Sequence, residues 1–306
     1  MGQRLLAPTS ATTPTRFPSA MRFHPLTVKE IRPETADAYT VAFDRPDDPA
    51  FDYLPGQYLT LKLNVNGEEL RRAYSLSSCP KETGELAITV KRVQDGRASN
   101  YLADSLKAGE ALEVYPPMGK FVVECQEANA KHYILIGAGS GITPLMSILK
   151  TVLQEEPRSK VTLVYGNTNE DCIIFKEALE RLEAEHHGRL QVVHVLSRPE
   201  GPWSGATGRI EGRIAYDILA EVIQQDKDLK KNFYLCGPSG MMESAIDVLE
   251  MLSVAPSLIH REYYSAPVET PEEDGYESLD PDDIEIVTQE VEVILGWQKL
   301  SGYRDA

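Results

Sequence analysis

The sequence predicts a two-domain α+β protein, in which an antiparallel β-barrel is followed by an α/β domain with a parallel sheet. Over residues 21–128, short alternating runs are separated by Pro, Gly, Asn and Asp, a pattern typical of an antiparallel barrel. Over residues 129–266, apolar runs alternate with helical segments, which indicates βαβ units. A chain of 306 residues is long enough to give each domain its own core.

Composition argues against two classes of function. The formal net charge of −16 disfavours nucleic-acid binding, because a phosphate backbone is bound by clustered Lys and Arg. No apolar run reaches the roughly 18 residues that a membrane span needs, so no membrane insertion is expected. The four cysteines form no CxxC or tighter cluster, which predicts no metal or iron–sulfur site and a reduced, cytoplasmic location.

The barrel domain is predicted to start after a disordered leader at residues 1–20, for which an organelle-targeting role is the alternative. Strands are expected at residues 26–31, 39–43, 57–63 and 86–91. One helix is expected from Ser99 to Leu106, with Ser99 as its N-cap. A turn over Pro116–Phe121 would close the domain.

Two stretches of the barrel domain could bind phosphate. On an alternating strand, Arg72 and Tyr74 face one side and Ala73 and Ser75 the other. A guanidinium beside an aromatic ring suits a phosphate and a planar ring system. The segment Asp95–Tyr101 places a glycine before a helix, a junction that can receive a pyrophosphate. An ordinary half-exposed strand and a polar loop remain the alternatives.

The second domain opens on an apolar strand that ends at Gly137, Gly139 and Gly141, directly before a helix. Glycines let the backbone approach a ligand closely, and the start of the helix attracts an anion. Pro144 suits the first turn of that helix, because its missing donor would have no partner there anyway. The spacing is G-x-G-x-G, not the G-x-G-x-x-G dinucleotide fingerprint, so a plain tight turn is the alternative.

The remaining βαβ units place other polar residues at strand ends. Strands are predicted at 160–165, 190–196 and 232–236, and helices at 174–185, 215–225 and 240–251, and the domain closes at 259–264. Ligands of parallel sheets bind at the carboxyl ends of the strands. There the sequence offers Ser197, Arg198 and the run Cys236–Met242.

The order of four motifs resembles the ferredoxin–NADP reductase superfamily of flavoprotein reductases. The motifs are Arg72–Ser75, Gly96–Ser99, Pro117–Phe121 and Gly137–Pro144, and the resemblance covers about residues 22–266. It implies a barrel that binds FAD and an α/β domain that binds NAD(P)H. It also implies an enzyme that passes electrons singly to a separate acceptor, a ferredoxin or an oxygenase component.

The resemblance implies roles for particular residues on the flavin side. Arg72 would contact the flavin phosphate, Tyr74 would stack on the isoalloxazine, and Ser75 would hydrogen-bond near its reactive N5. Gly96 and Ser99 would hold a pyrophosphate, which favours FAD over FMN. The implied cofactor-binding set also contains Ala73, Val90, Lys91, Ala98, Gly137, Gly139, Ser140, Gly141, Thr143, Pro144, Gly237, Pro238 and Met241.

On the nucleotide side, the resemblance places Cys236 beside the nicotinamide and Glu262 near the nicotinamide and flavin. With Tyr74 and Ser75 these are the expected catalytic residues; a buried strand-end cysteine and an exposed edge carboxylate are the alternatives. Ser197 and Arg198 would meet the adenosine ribose. An arginine there can pair with a 2′-phosphate, which favours NADPH over NADH but leaves NAD possible. Arg209 or Arg213 could assist.

The C-terminal stretch departs from the shortest members of this superfamily. From Glu262 to the end there are 13 acidic and 2 basic residues, which predicts an acidic linker over 267–283. Residues 284–306 contain a strand pattern. They resemble the start of the ferredoxin domain in reductases of phenylacetyl-CoA-type oxygenases, so a ferredoxin remnant is expected. An acidic tail that docks on its own body or on a partner is the alternative for these residues. For the function of the whole protein, the alternatives are an NADH-dependent reductase component that once fed a fused cluster and a binding or regulatory module without turnover.

Overall fold

The computed structural model describes residues 22–81 and 85–263. All of them belong to one compact unit of the chain. The predicted leader at 1–20, the acidic linker at 267–283 and the strand-containing tail at 284–306 lie outside the described residues.

The first domain is a six-stranded antiparallel sheet in the order β4-β3-β6-β1-β2-β5. Its strands are β1 (His24–Pro33), β2 (Ala38–Asp44), β3 (Tyr58–Val65), β4 (Glu68–Ser75), β5 (Glu85–Lys91) and β6 (Ala111–Met118). An antiparallel bridge between Leu76 and Ile88 joins the two outer strands β4 and β5. The sheet therefore closes on itself around a single apolar core, and the predicted barrel is confirmed.

Two local predictions in the barrel are wrong. Helix α1 spans Arg97–Ser105 and is capped by Gly96, so Ser99 lies inside the first turn and is not the N-cap. Pro116–Met118 belongs to strand β6, whereas the sequence predicted a turn from Pro116. The register of β6 against β3 shifts between Tyr58 and Thr60. Such an irregularity accommodates prolines, which have no N–H to donate to a ladder.

The second domain is a six-stranded parallel sheet in the order β10-β9-β8-β7-β11-β12, as predicted. Its strands are β7 (Lys131–Ala138), β8 (Lys160–Asn167), β9 (Leu190–Leu196), β10 (Ala206–Thr207), β11 (Lys230–Gly237) and β12 (Ile259–Tyr263). Helices α2 (Ile142–Glu155), α3 (Lys176–Glu185), α4 (Gly212–Gln224) and α5 (Ser239–Met251) connect them. The two-residue strand β10 was not predicted, because it is too short to show a period.

The strand order positions a ligand site. From central β7 the chain proceeds outward through β8 on one side and returns to β11 on the other. This change of direction creates a crevice at the carboxyl ends of β7 and β11, where ligands of open parallel sheets bind. Helix α2 starts in this crevice, and its face packs together with Phe121 and Ala38 from the barrel side of the molecule.

None of the helices in the described stretches is both long and apolar enough to cross a membrane.

Candidate functional site

The end of β4 carries the predicted flavin-contacting residues. Tyr74 packs against the barrel core, and this burial raises the pKa of its hydroxyl to about 12, an effect that nearby Arg72 opposes. The ring and the guanidinium therefore lie on the same face, as the alternation predicted. Ala73 is exposed on the other face, and Ser75 is buried where the strand ends.

The start of α1 forms a narrow backbone cradle. A Cβ at Gly96 would lie 2.6 Å from Ser99 Oγ, so only glycine fits without displacing its neighbour. Ser99 Oγ accepts a hydrogen bond from Val93 N at 3.1 Å and thereby holds the preceding loop. The Tyr39 hydroxyl donates to Ser99 O at 2.8 Å. These contacts fix the first turn of a helix whose leading N–H groups have no partners within the helix.

The three glycines from the end of β7 to the start of α2 are required for different reasons. A Cβ at Gly141 would lie 2.0 Å from Cys236 O, and one at Gly137 would lie 2.7 Å from Leu145 Cδ1. Both glycines let α2 pack closely on the sheet. Gly139 has a φ of +54° and no atom within 4 Å of its Cβ position. Its backbone therefore turns sharply beside open space, where a ligand can approach.

Hydrogen bonds hold this glycine turn in place. Thr143 Oγ1 donates to Ser140 O at 3.1 Å, and the Tyr165 hydroxyl donates to Gly139 O at 2.9 Å. Thr143 and Pro144 are buried in the first turn of α2, so they shape the turn from behind. Tyr165 was not predicted, since a tyrosine in a buried strand carries no sequence signal for this contact.

Three predicted residues lie side by side at the carboxyl edge of the sheet. Cys236 on β11 is in register with Gly137 on β7 and with Glu262 on β12. Cys236 is fully buried and belongs to the core that includes Phe121. Glu262 is half-buried, and burial raises the pKa of its carboxyl.

A cavity of about 770 Å³ opens at the same edge. Six of the residues predicted to bind a cofactor line it, namely Lys91, Gly139, Ser197, Arg198, Pro238 and Met241. An adjoining cavity of about 360 Å³ adds Ser140 and Gly237. Lys91 comes from the barrel and the others from the parallel sheet, so both domains contribute to this space.

The cavity also contains residues that the sequence did not single out. Asn167 and Thr168 line it from the end of β8, and Glu211 faces it beside Arg209. The rule that ligands bind at carboxyl strand ends could have found Asn167 and Thr168. Of the two arginines that could assist at the ribose, Arg209 lines the cavity. Arg213 lies outside the lining, is exposed, and pairs with Asp217 at 2.7 Å.

Other predicted residues lie outside this cavity. Arg72, Tyr74 and Ser75 are at the end of β4, and Gly96, Ala98 and Ser99 are at the start of α1. Val90 is buried in the barrel core next to Lys91. In the described part of the chain, no group of three or more His, Cys, Asp or Glu side chains could hold a metal ion.

The barrel with a glycine cradle, followed by a parallel sheet with a cavity at its switch point, defines a flavin- and nicotinamide-dependent oxidoreductase. Residues 25–123 match the family of oxidoreductase FAD-binding domains, and residues 135–247 match that of oxidoreductase NAD-binding domains. The chain thus belongs to the ferredoxin–NADP reductase superfamily.

Similar proteins narrow the class. The chain is 38% identical over 249 residues to a component of the 1,2-phenylacetyl-CoA epoxidase from Escherichia coli K12, covering 80% of this chain and 68% of that protein. It is 34% identical to the ferredoxin reductase component of 3-ketosteroid-9-alpha-monooxygenase from Rhodococcus rhodochrous, covering 86% of this chain and 74% of that protein.

A solved structure shows the same architecture. The FAD/NAD-binding domain of a nitric oxide dioxygenase from Vibrio cholerae superposes with a TM-score of 0.67 at 27% identity. The superposition covers 79% of this chain and 99% of that domain.

Proposed function

We propose that this protein is the reductase component of an oxygenase system. It takes a hydride from a reduced nicotinamide nucleotide and passes the electrons singly to a protein acceptor, which is an oxygenase component or a ferredoxin. The observation that carries this proposal is the cavity that joins Lys91 of the barrel to the carboxyl ends of the parallel strands. The names of the similar proteins, which are epoxidase and monooxygenase components, support the kind of acceptor.

The barrel residues fit FAD. When bound, FAD supplies hydride acceptance and release of electrons one at a time. Tyr74 offers a half-buried ring to the isoalloxazine, and Arg72 offers a guanidinium to the phosphate on the same face. Gly96 caps the start of α1, where the leading N–H groups of the helix can receive a pyrophosphate. Ser75 is the hydroxyl donor that we assign to the reactive nitrogen.

The sheet residues fit a nicotinamide dinucleotide. The open backbone at Gly139 and the start of α2 provide the pyrophosphate site. Cys236 and Glu262, in register at the strand ends, are the residues that we place beside the nicotinamide. Their contribution is to hold the two reacting rings in alignment, since orientation lowers the barrier of a transfer between bound groups.

We assign NADPH as the preferred nucleotide. Arg198 and Arg209 both line the cavity where the adenosine ribose would lie, and a guanidinium pairs well with a phosphate. The Glu211 carboxylate lies 4.0 Å from Arg209 and partly offsets that charge. A cytoplasmic location is supported by the cysteines, none of which forms a disulfide.

An absorption spectrum recorded before and after anaerobic addition of NADPH tests the proposal. A working reductase shows flavin bands that bleach on addition of the nucleotide, and it then reduces ferricyanide steadily. A flavin-containing protein that binds NADPH without bleaching would be a binding module. A protein that cannot be reconstituted with FAD would contradict the proposal at its first step.

A further inference from the structure

Helix α2 connects the two halves of the proposed site. At its start, Gly141 packs so closely on β11 that an added Cβ would lie 2.0 Å from Cys236 O. Further along, the helix contacts Ser78 and Cys79 in the segment 76–80, which directly follows Ser75 at the end of β4. Both segments are buried where they meet. One helix therefore touches the strand end that carries Cys236 and the segment that carries Ser75.

A directional hydrogen bond fixes the second of these contacts. Ser147 Oγ donates to Ser78 O at 2.7 Å, and the exposed fractions of the two residues are 0% and 1%. Ser78 is anchored in the barrel as well, because its Oγ accepts from Ala87 N at 3.0 Å and shares a hydrogen bond with the Tyr53 hydroxyl at 2.7 Å. The Ser78 carbonyl is thus held between the barrel and α2.

The next turn of α2 repeats the contact. Thr151 Oγ1 donates to Ser147 O at 2.7 Å and lies 3.4 Å from Cys79 Sγ. The Cys79 thiol in turn lies 3.2 Å from Gln154 Oε1, to which it donates. The polar side of α2 and the segment 76–80 therefore form a continuous hydrogen-bonded seam between the domains.

We propose that Ser147 is a positioning residue for hydride transfer, because its bond to the Ser78 carbonyl sets the separation between the flavin-binding strand and the nucleotide-binding turn. This inference rests on the proposed function. Apolar packing around α2 is non-directional and tolerates sliding, whereas a hydrogen bond constrains both distance and angle. Transfer between two bound rings is sensitive to such placement, and a misplacement of about 1 Å can cost about a hundredfold in rate.

The test compares two serine-to-alanine variants of the full chain loaded with FAD. Ser147→Ala removes the seam bond. Ser159→Ala is the matched control: Ser159 is also fully buried and lies beyond the far end of α2, where its hydroxyl donates to Glu156 Oε2 at 2.6 Å and accepts from Lys131 N at 3.0 Å. The measurements are the melting temperature, the dissociation constant of NADPH, the nucleotide–flavin charge-transfer absorbance, and the limiting rate of flavin bleaching in stopped flow.

We expect both variants to melt at a lower temperature, since Ser147→Ala loses one buried hydrogen bond and Ser159→Ala loses two. In Ser147→Ala the limiting bleaching rate should fall about tenfold and the charge-transfer absorbance should weaken, with little change in the dissociation constant. In Ser159→Ala the rate and absorbance should match those of the unmodified protein. A Ser147→Ala protein that differs from the unmodified one only in melting temperature would overturn the proposal.

Ser147→Cys gives a second route if the alanine variant does not fold. It keeps the approximate size of the side chain with a weaker donor, so its bleaching rate should lie between those of the unmodified and alanine proteins. A rate equal to that of the unmodified protein would contradict the positioning role. Failure of the proposed function is distinguishable, because the unmodified protein itself would then not bleach with nucleotide.

Discussion

In the described part of the chain, glycine is the N-cap residue of two α-helices, α1 and α2, and the two junctions are built differently. At the start of α1, Gly96 is crowded by its own loop, through Ser99 and Val93. At the start of α2, Gly141 is crowded by a different strand, through the carbonyl of Cys236. The first junction is a local cradle. The second is also a tertiary contact between α2 and β11. A substitution there should therefore affect both the nucleotide site and the packing of α2 in the second domain.

The largest expected effect comes from Gly141→Ala. Gly141 has an ordinary φ of −60°, so the substitution fails only for lack of space against Cys236. Because the obstacle is backbone, α2 must move, and we expect a loss of about 3 kcal/mol in the free energy of unfolding. The bleaching rate should fall by about a hundredfold.

Gly139→Ala is its matched control. Gly139 has a φ of +54° and open space around its Cβ position, so the substitution meets only backbone strain of about 1 kcal/mol. Denaturant unfolding without nucleotide compares the two variants, and stopped-flow reduction is measured for Gly141→Ala alone, because Gly139 borders the proposed pyrophosphate site. If both variants lost the same free energy of unfolding, the close packing of Gly141 on β11 would contribute no stability beyond the backbone strain measured at Gly139.

Acid should weaken the second domain more than the barrel, because the sheet domain contains His132, a fully buried histidine on β7. Burial lowers the pKa of His132 from 6.5 to about 4, although Asp226 opposes and Lys160 and Lys231 reinforce this change. Above pH 6.5 the His132 ring is neutral in both the folded and the unfolded protein, so its full contribution to stability is present. Below that pH the ring takes up a proton more readily in the unfolded protein. About 3 kcal/mol of the free energy of unfolding is lost as the pH falls towards 4.

In a Trp297→Phe background, the fluorescence of Trp203 in the second domain and that of released FAD separate the two responses during acid titration. His132→Gln removes the titrating ring. The loss of stability between pH 6.5 and 4 that Trp203 fluorescence reports should therefore become smaller. An unchanged acid limb in that variant would assign the loss of stability to other groups.

Arg198→Asp tests the ribose end of the cavity. A charge-assisted contact with a phosphate contributes about 1.5–3 kcal/mol, so kcat/KM with NADPH should fall about ten- to a hundredfold, while NADH should change little. Arg213→Asp is the control, because Arg213 is exposed, lies outside the cavity lining and pairs with Asp217. If kcat/KM fell equally with NADPH and with NADH in Arg198→Asp, Arg198 would not bind the 2′-phosphate.

The sequence predicted the features that depend on periodicity and on local turn chemistry. Both sheets, their strand directions and the glycine turn at Gly137–Gly141 follow from such patterns. Contacts that depend on tertiary packing could not be predicted from the sequence, because they join residues that are far apart along the chain. The hydroxyl of Tyr165 on Gly139, and that of Ser147 on Ser78, join residues 26 and 69 positions apart. The prediction of Ser99 as the N-cap is wrong because Gly96 occupies that position, although serine is among the residues preferred there.

Gly96→Ala is expected to have the smallest effect and to be confined to the flavin. The added Cβ would lie 2.6 Å from Ser99 Oγ, 2.9 Å from Val93 Cβ and 3.0 Å from Val93 O, a smaller overlap than the 2.0 Å approach to Cys236 O at Gly141. We expect FAD to bind about tenfold more weakly, equivalent to about 1.4 kcal/mol, because the loop held by Ser99 and Val93 must move away from the pyrophosphate site. Nucleotide binding in the sheet domain should not change.

Gly201→Ala is the control for this variant, since nothing lies within 4 Å of its Cβ position. Flavin fluorescence on dilution measures the dissociation constant of FAD, and calorimetry with NADP⁺ measures the second site. If Gly96→Ala weakened nucleotide binding as much as FAD binding, the effect of the Gly96 junction would not be local to the flavin site. The two glycine junctions would then behave as one coupled unit.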